Sequence, residues 1–358
     1  MQTGVYDFIA NENDFSKITV DLFTLCAGFG ANVAFRKEKV LDVDFDTQTV
    51  LTQTQEYMYD YIIVAVGSRT KFFDSITGLK KYAHGIKALH KALYFKQKFE
   101  LSLFAKIEEE GTSCHPLNII VAGAGLSGVE IAAQMASFSR DFYEQNNFLC
   151  RKLNIVLIDA SKRILPGVDE VLVEASMKRL LELEVIIKDD RKVIEVTEDS
   201  VHLSSGEILP VDFMIFTGGI EPKDLVYNLK VSKDARHHIL SNEYLQIQGY
   251  STAYVAGDCG AIHEGDKLVA PTADVAEQMA EHCAKNIMNS IYNRKLQKHA
   301  IKSRGMLIAL GRRYAVGKVF GVYVGGYFGY ILKKIIENVY SKRLFMRSGR
   351  GSKKIFSD

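Results

Sequence analysis

Three glycines at the spacing GxGxxG, Gly123, Gly125 and Gly128, lie between an apolar run at 118–122 and a stretch where Val129, Ile131, Ala132, Met135 and Ala136 recur at helical spacing. In such a unit the first glycine permits a tight turn, the second lets backbone N–H groups approach a phosphate, and the third lets the helix pack close on the strand. The helix N-terminus adds unsatisfied donors. The expected ligand is therefore a dinucleotide pyrophosphate. Asp159 closes the apolar run Leu153–Ile158 and supplies a carboxylate for a ribose hydroxyl. That charge repels a 2′-phosphate and favours NADH over NADPH, although Lys162 and Arg163 follow closely and soften the preference. Asp159 lies 31 residues past Gly128, against about 20 in the usual arrangement, and the excess falls in the polar stretch 137–151. A glycine-rich turn with an unrelated acid is the alternative.

The elements that must position these residues are short apolar runs at 61–66, 118–122, 153–158, 213–217 and 253–256. Their β-branched, nearly continuous character is that of strands covered on both faces, so a doubly wound α/β architecture is expected. A second helix is expected from Val275 to Tyr292. The polar, proline-ended segment 107–116 reads as a domain boundary, with another near 240–245. The middle domain is then an insertion, placing residues 1–113 and 245–310 in one discontinuous domain, 114–244 in a second, and 311–358 in a C-terminal region.

The 358 residues suit two or more domains, and 47% hydrophobic with 25% charged residues is the composition of a globular protein. Five scattered cysteines form no CxxC and no metal-ligand spacing, which suggests reduced thiols, no metal and a cytoplasmic chain without a secretory signal. From Arg294 onward there are 16 Lys or Arg against 2 acids, a net +14, whereas the preceding residues carry −12. A basic tail on an acidic body favours an anionic partner.

The spaced segments 60–68, 216–219 and 254–258 resemble the signatures of flavoproteins with two nested dinucleotide domains. Within that group the chain is most similar to the type II NADH dehydrogenases, on the strength of 125–132, 159–166, 271–278 and 310–317. The resemblance implies two Rossmann-like domains plus a C-terminal amphipathic helical region. It implies FAD and NADH as cofactors, a membrane quinone as acceptor, and a non-proton-pumping NADH dehydrogenase. It places Gly67, Gly218, Gly219, Gly257, Asp258, Thr272 and Ala273 around the cofactors, Glu130 near the nicotinamide, and Gln278 and Asp274 where quinone meets flavin. Plainer roles stand beside these: Asp258 as a turn or helix cap, Gln278 as a surface helix residue, Glu130 as a complement to the helix dipole.

Two features depart from the family pattern. No GxGxxG for FAD occurs in the first 60 residues, and Gly28-Phe-Gly30 lacks a third glycine, so the FAD domain is expected to be incomplete at its N-terminus. Asp274 stands where the family usually has Gln. At the C-terminus, the run 319–332 is too short to span a membrane. With the apolar face Ile331, Leu332, Ile335, Ile336 and Val339 and the flanking Lys318, Lys333 and Lys334, it predicts an interfacial helix on the anionic cytoplasmic surface of the inner (plasma) membrane. Dimerisation or packing on the body is the alternative. Nucleic acid is not expected, since no binding module accompanies the charge. Rival functions are a soluble NAD(P)H-dependent flavoprotein, a disulfide reductase relative, and a non-catalytic NADH-binding membrane-associated protein.

Overall fold

The computed structural model describes residues 4–108, 116–146, 153–264, 267–269, 271–302 and 305–355. The chain forms two compact units, one of Met1–Phe35, Thr70–Gly219 and Gly305–Asp358, the other of Arg36–Arg69 and Ile220–Arg304.

The first unit is built on a five-stranded sheet in the order Ala83–His84, Phe213–Phe216, Leu117–Ala122, Leu153–Ile158 and Ile186–Lys188, parallel throughout. Successive side chains of a strand point to opposite faces, and here each face feeds its own core. Ile119, Val121, Ile155, Leu157 and Ile215 pack with Phe95, Phe99 and Leu103 of the helix Leu89–Glu108, with Val129, Ile131 and Met135 of Leu126–Asn146, and with Leu172 and Leu180 of Glu170–Glu182. Ile120, Ala122, Val156, Ile158 and Met214 pack instead against Val196, Val201 and Leu203 of the three-stranded antiparallel sheet Val193–Val196, Ser200–Leu203, Ile208–Pro210. Burial on both faces explains the unbroken apolar character of these strands.

Segments near both termini join this unit. Val5, Phe8 and Ile9 of the helix Val5–Ile9 belong to the first core, as do Ile308 and Val316 of the antiparallel sheet Gly305–Ala309, Ala315–Val319, Val322–Val324. The apolar run 319–332 is thus not one helix. Gly321 at φ +84° and Gly326 at φ +65° divide it between a hairpin and the start of the 30-residue helix Gly326–Ile355. That helix crosses Leu22–Ala27 at close range. A Cβ on Gly28 would stand 2.0 Å from the Arg347 carbonyl oxygen, and one on Gly351 would stand 1.8 Å from that of Thr24. Gly28 therefore serves a helix crossing.

The second unit pairs Ile62–Val64 with Ala253–Val255 in a two-stranded parallel sheet and Val40–Asp44, Thr49–Thr52 and Glu56–Met58 in an antiparallel one. Val64, Val226, Leu229, Ile239, Val255 and Cys259 share its core, and Met279 and Cys283 bind the helix Ala273–Ile291 to Tyr254.

These units divide the chain differently from the boundaries expected at 113 and 244. Residues 4–35 and 70–108 join the first unit through Phe8, Ile9, Phe95 and Phe99. Residues 220–244 join the second through Val226 and Ile239, and the C-terminal region is part of the first. The boundary segment around 113 lies outside the described residues.

Candidate functional site

The five-stranded sheet brings the glycine turn together as the spacing requires, and each glycine has its own reason. Gly123 sits at φ +110°, where L side chains are strained, and a Cβ there would lie 2.6 Å from the Gly218 nitrogen. A Cβ on Gly128 would lie 1.7 Å from the Gly123 carbonyl oxygen. Among the described residues, nothing lies within 4 Å of a Cβ position at Gly125. The crowded glycines shape the turn, and the open one immediately precedes the helix Leu126–Asn146, whose first N–H groups have no partner within the helix. Thr217, at the end of the neighbouring strand, donates its hydroxyl to the Gly123 carbonyl at 2.8 Å and locks the turn from below. Gly218 packs on the Phe216 ring, which a Cβ would approach to 2.7 Å, and Gly219 packs on Phe73.

Asp159 leaves the adjacent strand beside this turn. One carboxylate oxygen accepts from the Ala124 N–H, the other from the Ser161 N–H at 2.6 Å. The carboxylate expected at the ribose thus also braces the glycine turn, and each oxygen keeps a lone pair for a further donor. The long interval from Gly128 is taken up by the helix, which runs to Asn146.

Glu130 is not a first-turn dipole complement, since no acid occupies the first turn of its helix. Its Oε1 accepts from the Ala309 N–H at 2.8 Å and from the Lys333 ammonium. Burial opposes the charge on Lys333, but the carboxylates of Glu130 and Glu337 override it and hold its pKa above the ordinary lysine value. Lys334 binds Asp7 at 2.6 Å and Glu337 at 3.1 Å, and Gln134 donates to Asp7 at 2.8 Å. Nearby Glu12 is raised to about 7, by burial first and by Asp7 second. Lys318 is likewise paired, with Asp169 at 3.0 Å. The three lysines expected to flank a lipid-binding run are therefore committed to ion pairs. Lys333 is the residue sequence reasoning missed at Glu130, because a Lys-Lys pair after an apolar run looks like a membrane flank.

In the second unit, Gly67 and Gly257 take left-handed backbone at φ +68° and +74°. Asp258 accepts from the Ser68 hydroxyl at 2.6 Å; Ser68 was another partner unseen in the sequence. Thr272 caps Ala273–Ile291, accepting from the Val275 N–H at 3.2 Å. A cavity of about 20 Å³ lies among Gly257, Asp258, Thr272, Ala276 and Met279. Gln278 lies one turn on and is 9% exposed. Its amide donates to Asp274 at 2.8 Å and to the Lys302 carbonyl at 3.1 Å, and accepts from the Lys302 N–H at 3.0 Å. Gln278 is thus a buried tie, not a solvent-facing residue, and Asp274 orients it.

The family model of the pyridine nucleotide-disulphide oxidoreductases matches residues 4–280. A probable NADH dehydrogenase of Dictyostelium discoideum is 28% identical over 284 residues, 77% of this chain and 62% of that protein. The demethylphylloquinone reductase of a Synechocystis species is 26% identical over 341 residues, 93% of this chain and 80% of its own. A type II NADH:quinone oxidoreductase of Staphylococcus saprophyticus is 26% identical over 324 residues, covering 89% and 79%. The chain thus spans less than two thirds of the first relative and about four fifths of the others. The structure of NDH2 from Plasmodium falciparum in complex with NADH superposes with a TM-score of 0.81 at 17% identity, over 98% of this chain and 90% of that one, which speaks for a common fold.

Proposed function

The chain belongs to the pyridine nucleotide-disulphide oxidoreductase family, and from that premise we propose that it is a type II, non-proton-pumping NADH:quinone oxidoreductase, passing electrons from NADH through FAD to a membrane quinone. The observation that carries this reading is the glycine turn, crowded at Gly123 and Gly128 and open at Gly125. The names of the relatives agree with it.

In this reading the first unit binds NADH. Gly125 leaves room for the pyrophosphate, the N-terminus of Leu126–Asn146 neutralises it, and Asp159 accepts from the ribose while repelling a 2′-phosphate. The second unit offers part of what a flavin needs, namely left-handed Gly67 and Gly257, the Asp258 carboxylate held by Ser68, and the capped N-terminus at Thr272 and Ala273, but no second glycine turn for the FAD pyrophosphate. FAD, when bound, supplies the redox chemistry, taking two electrons from reduced nicotinamide and giving them to the quinone. The protein's part is to hold and exclude. Gly218 and Gly219 keep the strand end clear of side chains, the Gln278 tie to Asp274 and Lys302 fixes the helix beside the flavin, and Glu130 with Lys333 keeps a paired charge near the nicotinamide.

Disulfide reduction is less well supported. Burial pushes the Cys283 thiol up to about 12 and also raises Cys259, so neither presents a thiolate.

The chain attaches peripherally to the anionic cytoplasmic face of the inner (plasma) membrane through the C-terminal helix. Among the described residues no helix is long and apolar enough to cross a membrane, and Ile335, Ile336, Val339 and Tyr340 are exposed along one stretch of Gly326–Ile355. With Lys318, Lys333 and Lys334 paired, attraction to anionic lipid falls to the exposed Lys342, Arg343, Arg350 and Lys353. The test is NADH oxidation by the purified chain with a soluble quinone, with and without added FAD. Quinone-dependent oxidation that requires flavin is expected. Failure to oxidise NADH in the presence of both FAD and quinone contradicts the reading.

A further inference from the structure

The loop after Asp159 lies against the glycine turn. It is pinned to the glycine turn on both sides of one residue. The Asp159 carboxylate accepts from the Ala124 N–H, and the Leu165 N–H donates to the Ala124 carbonyl at 2.7 Å. Ile164 and Leu165 are buried, at 0% and 1% exposure, so residues 160–163 form a short rim with Lys162 and Arg163 exposed. From the next strand's loop, the Asp190 N–H donates to the Ser161 carbonyl and the Arg191 N–H to the Asp159 carbonyl, each at 2.9 Å. Three cationic side chains, Lys162, Arg163 and exposed Arg191, therefore belong to segments that meet at Asp159. Such a rim would suit a 2′-phosphate, which an arginine near this position recognises through its planar fork. The Arg163 guanidinium, however, is bound to Glu170, the first residue of the helix Glu170–Glu182.

We propose that Glu170 is a specificity-determining residue: it draws Arg163 away from the ribose 2′ position and so withholds from NADPH the guanidinium that the loop otherwise offers. This deepens the nucleotide reading above and rests on it. Discrimination then has two parts, the Asp159 carboxylate at the ribose and the Glu170 tether behind it. The side chains of the pair are 45% and 60% exposed, so the pair contributes little to stability. Removing Glu170 leaves the fold intact and frees one cation at the rim.

The experiment is calorimetric titration of the full chain with NADH and with NADPH, for the wild type, Glu170→Gln, and Glu170→Gln combined with Arg163→Gln. Glu170→Gln is expected to bind NADPH about three- to tenfold more tightly, the size of one added charge at partly screened range, with NADH within about twofold. The second substitution is expected to abolish the gain. A Glu170 that serves only the helix dipole would leave the NADPH-to-NADH ratio unchanged, and that result overturns the proposal. A gain that survives loss of Arg163 overturns it as well. A wild type that binds no NADH would instead refute the underlying nucleotide reading.

Discussion

At 123–128, backbone atoms 1.7 and 2.6 Å from the Cβ positions forbid any residue but glycine at Gly128 and Gly123. At Gly257 the nearest atom to a Cβ is the Ala276 methyl at 3.6 Å, and glycine is favoured there only because φ is +74°. The first turn is supported by a five-stranded parallel sheet, the second by a two-stranded one. Steric crowding at several positions writes a spacing that is recognisable in any sequence, whereas conformational preference at one position writes almost nothing. The difference also separates shape from binding. Within the first turn two glycines make the structure, and the third leaves room for the ligand.

The largest effect is expected from Gly128→Ala. The Gly123 carbonyl cannot withdraw without breaking the turn and its bond to Thr217, so a loss of more than about 3 kcal/mol should appear in denaturant unfolding, with NADH binding abolished. A Gly128→Ala variant as stable as the wild type would remove the contrast. Lys333→Met follows, at about 3 kcal/mol, because it leaves Glu130 buried without its cation. Stability near that of the wild type would mean that water replaces the ammonium.

A pH series probes the first unit alone. Glu12 titrates at about 7 in the fold against 4.5 in the free side chain, so the folded state holds its proton more tightly than the unfolded chain. The associated stability is present below about pH 4.5 and is lost as pH rises towards 7. Glu12→Gln should therefore raise stability at pH 8 by an amount on the order of 2 kcal/mol and change little at pH 4.5. A pH-independent effect would show that side-chain packing, not the cost of ionising a buried carboxyl, dominates at this position. Gly257→Ala should cost only about 1 kcal/mol, the strain of a left-handed alanine. A loss as large as that of Gly128→Ala would erase the distinction between the two turns.

Local pattern made much of this legible. The five apolar runs are all strands, and the helix expected over 275–292 is Ala273–Ile291. The turn residues Gly123, Gly125, Gly128 and Asp159 assemble because strand, turn and helix are contiguous and the next strand pairs in register, Ala122 beside Ile158. Partners supplied from far along the chain were not legible. Lys333 reaches Glu130 across 203 residues, and nothing local distinguishes a lysine meant for a buried carboxylate from one meant for lipid. The unit boundaries were hidden for the same reason. The apolar face of Leu89–Glu108 shows that the helix packs, but only the assembled sheet shows against what. Gln278 illustrates a third limit, since its engagement depends on the backbone of Lys302 arriving at its amide.

If the open position in the first turn seats the NADH pyrophosphate, Gly125→Ala must weaken binding without touching the fold. With none of the described residues within 4 Å of the added methyl, the variant should unfold at the wild-type temperature while calorimetry shows NADH binding weakened by about tenfold or more, the cost of a methyl group intruding where a phosphate must touch backbone. Wild-type affinity in a fully folded Gly125→Ala protein would contradict the account.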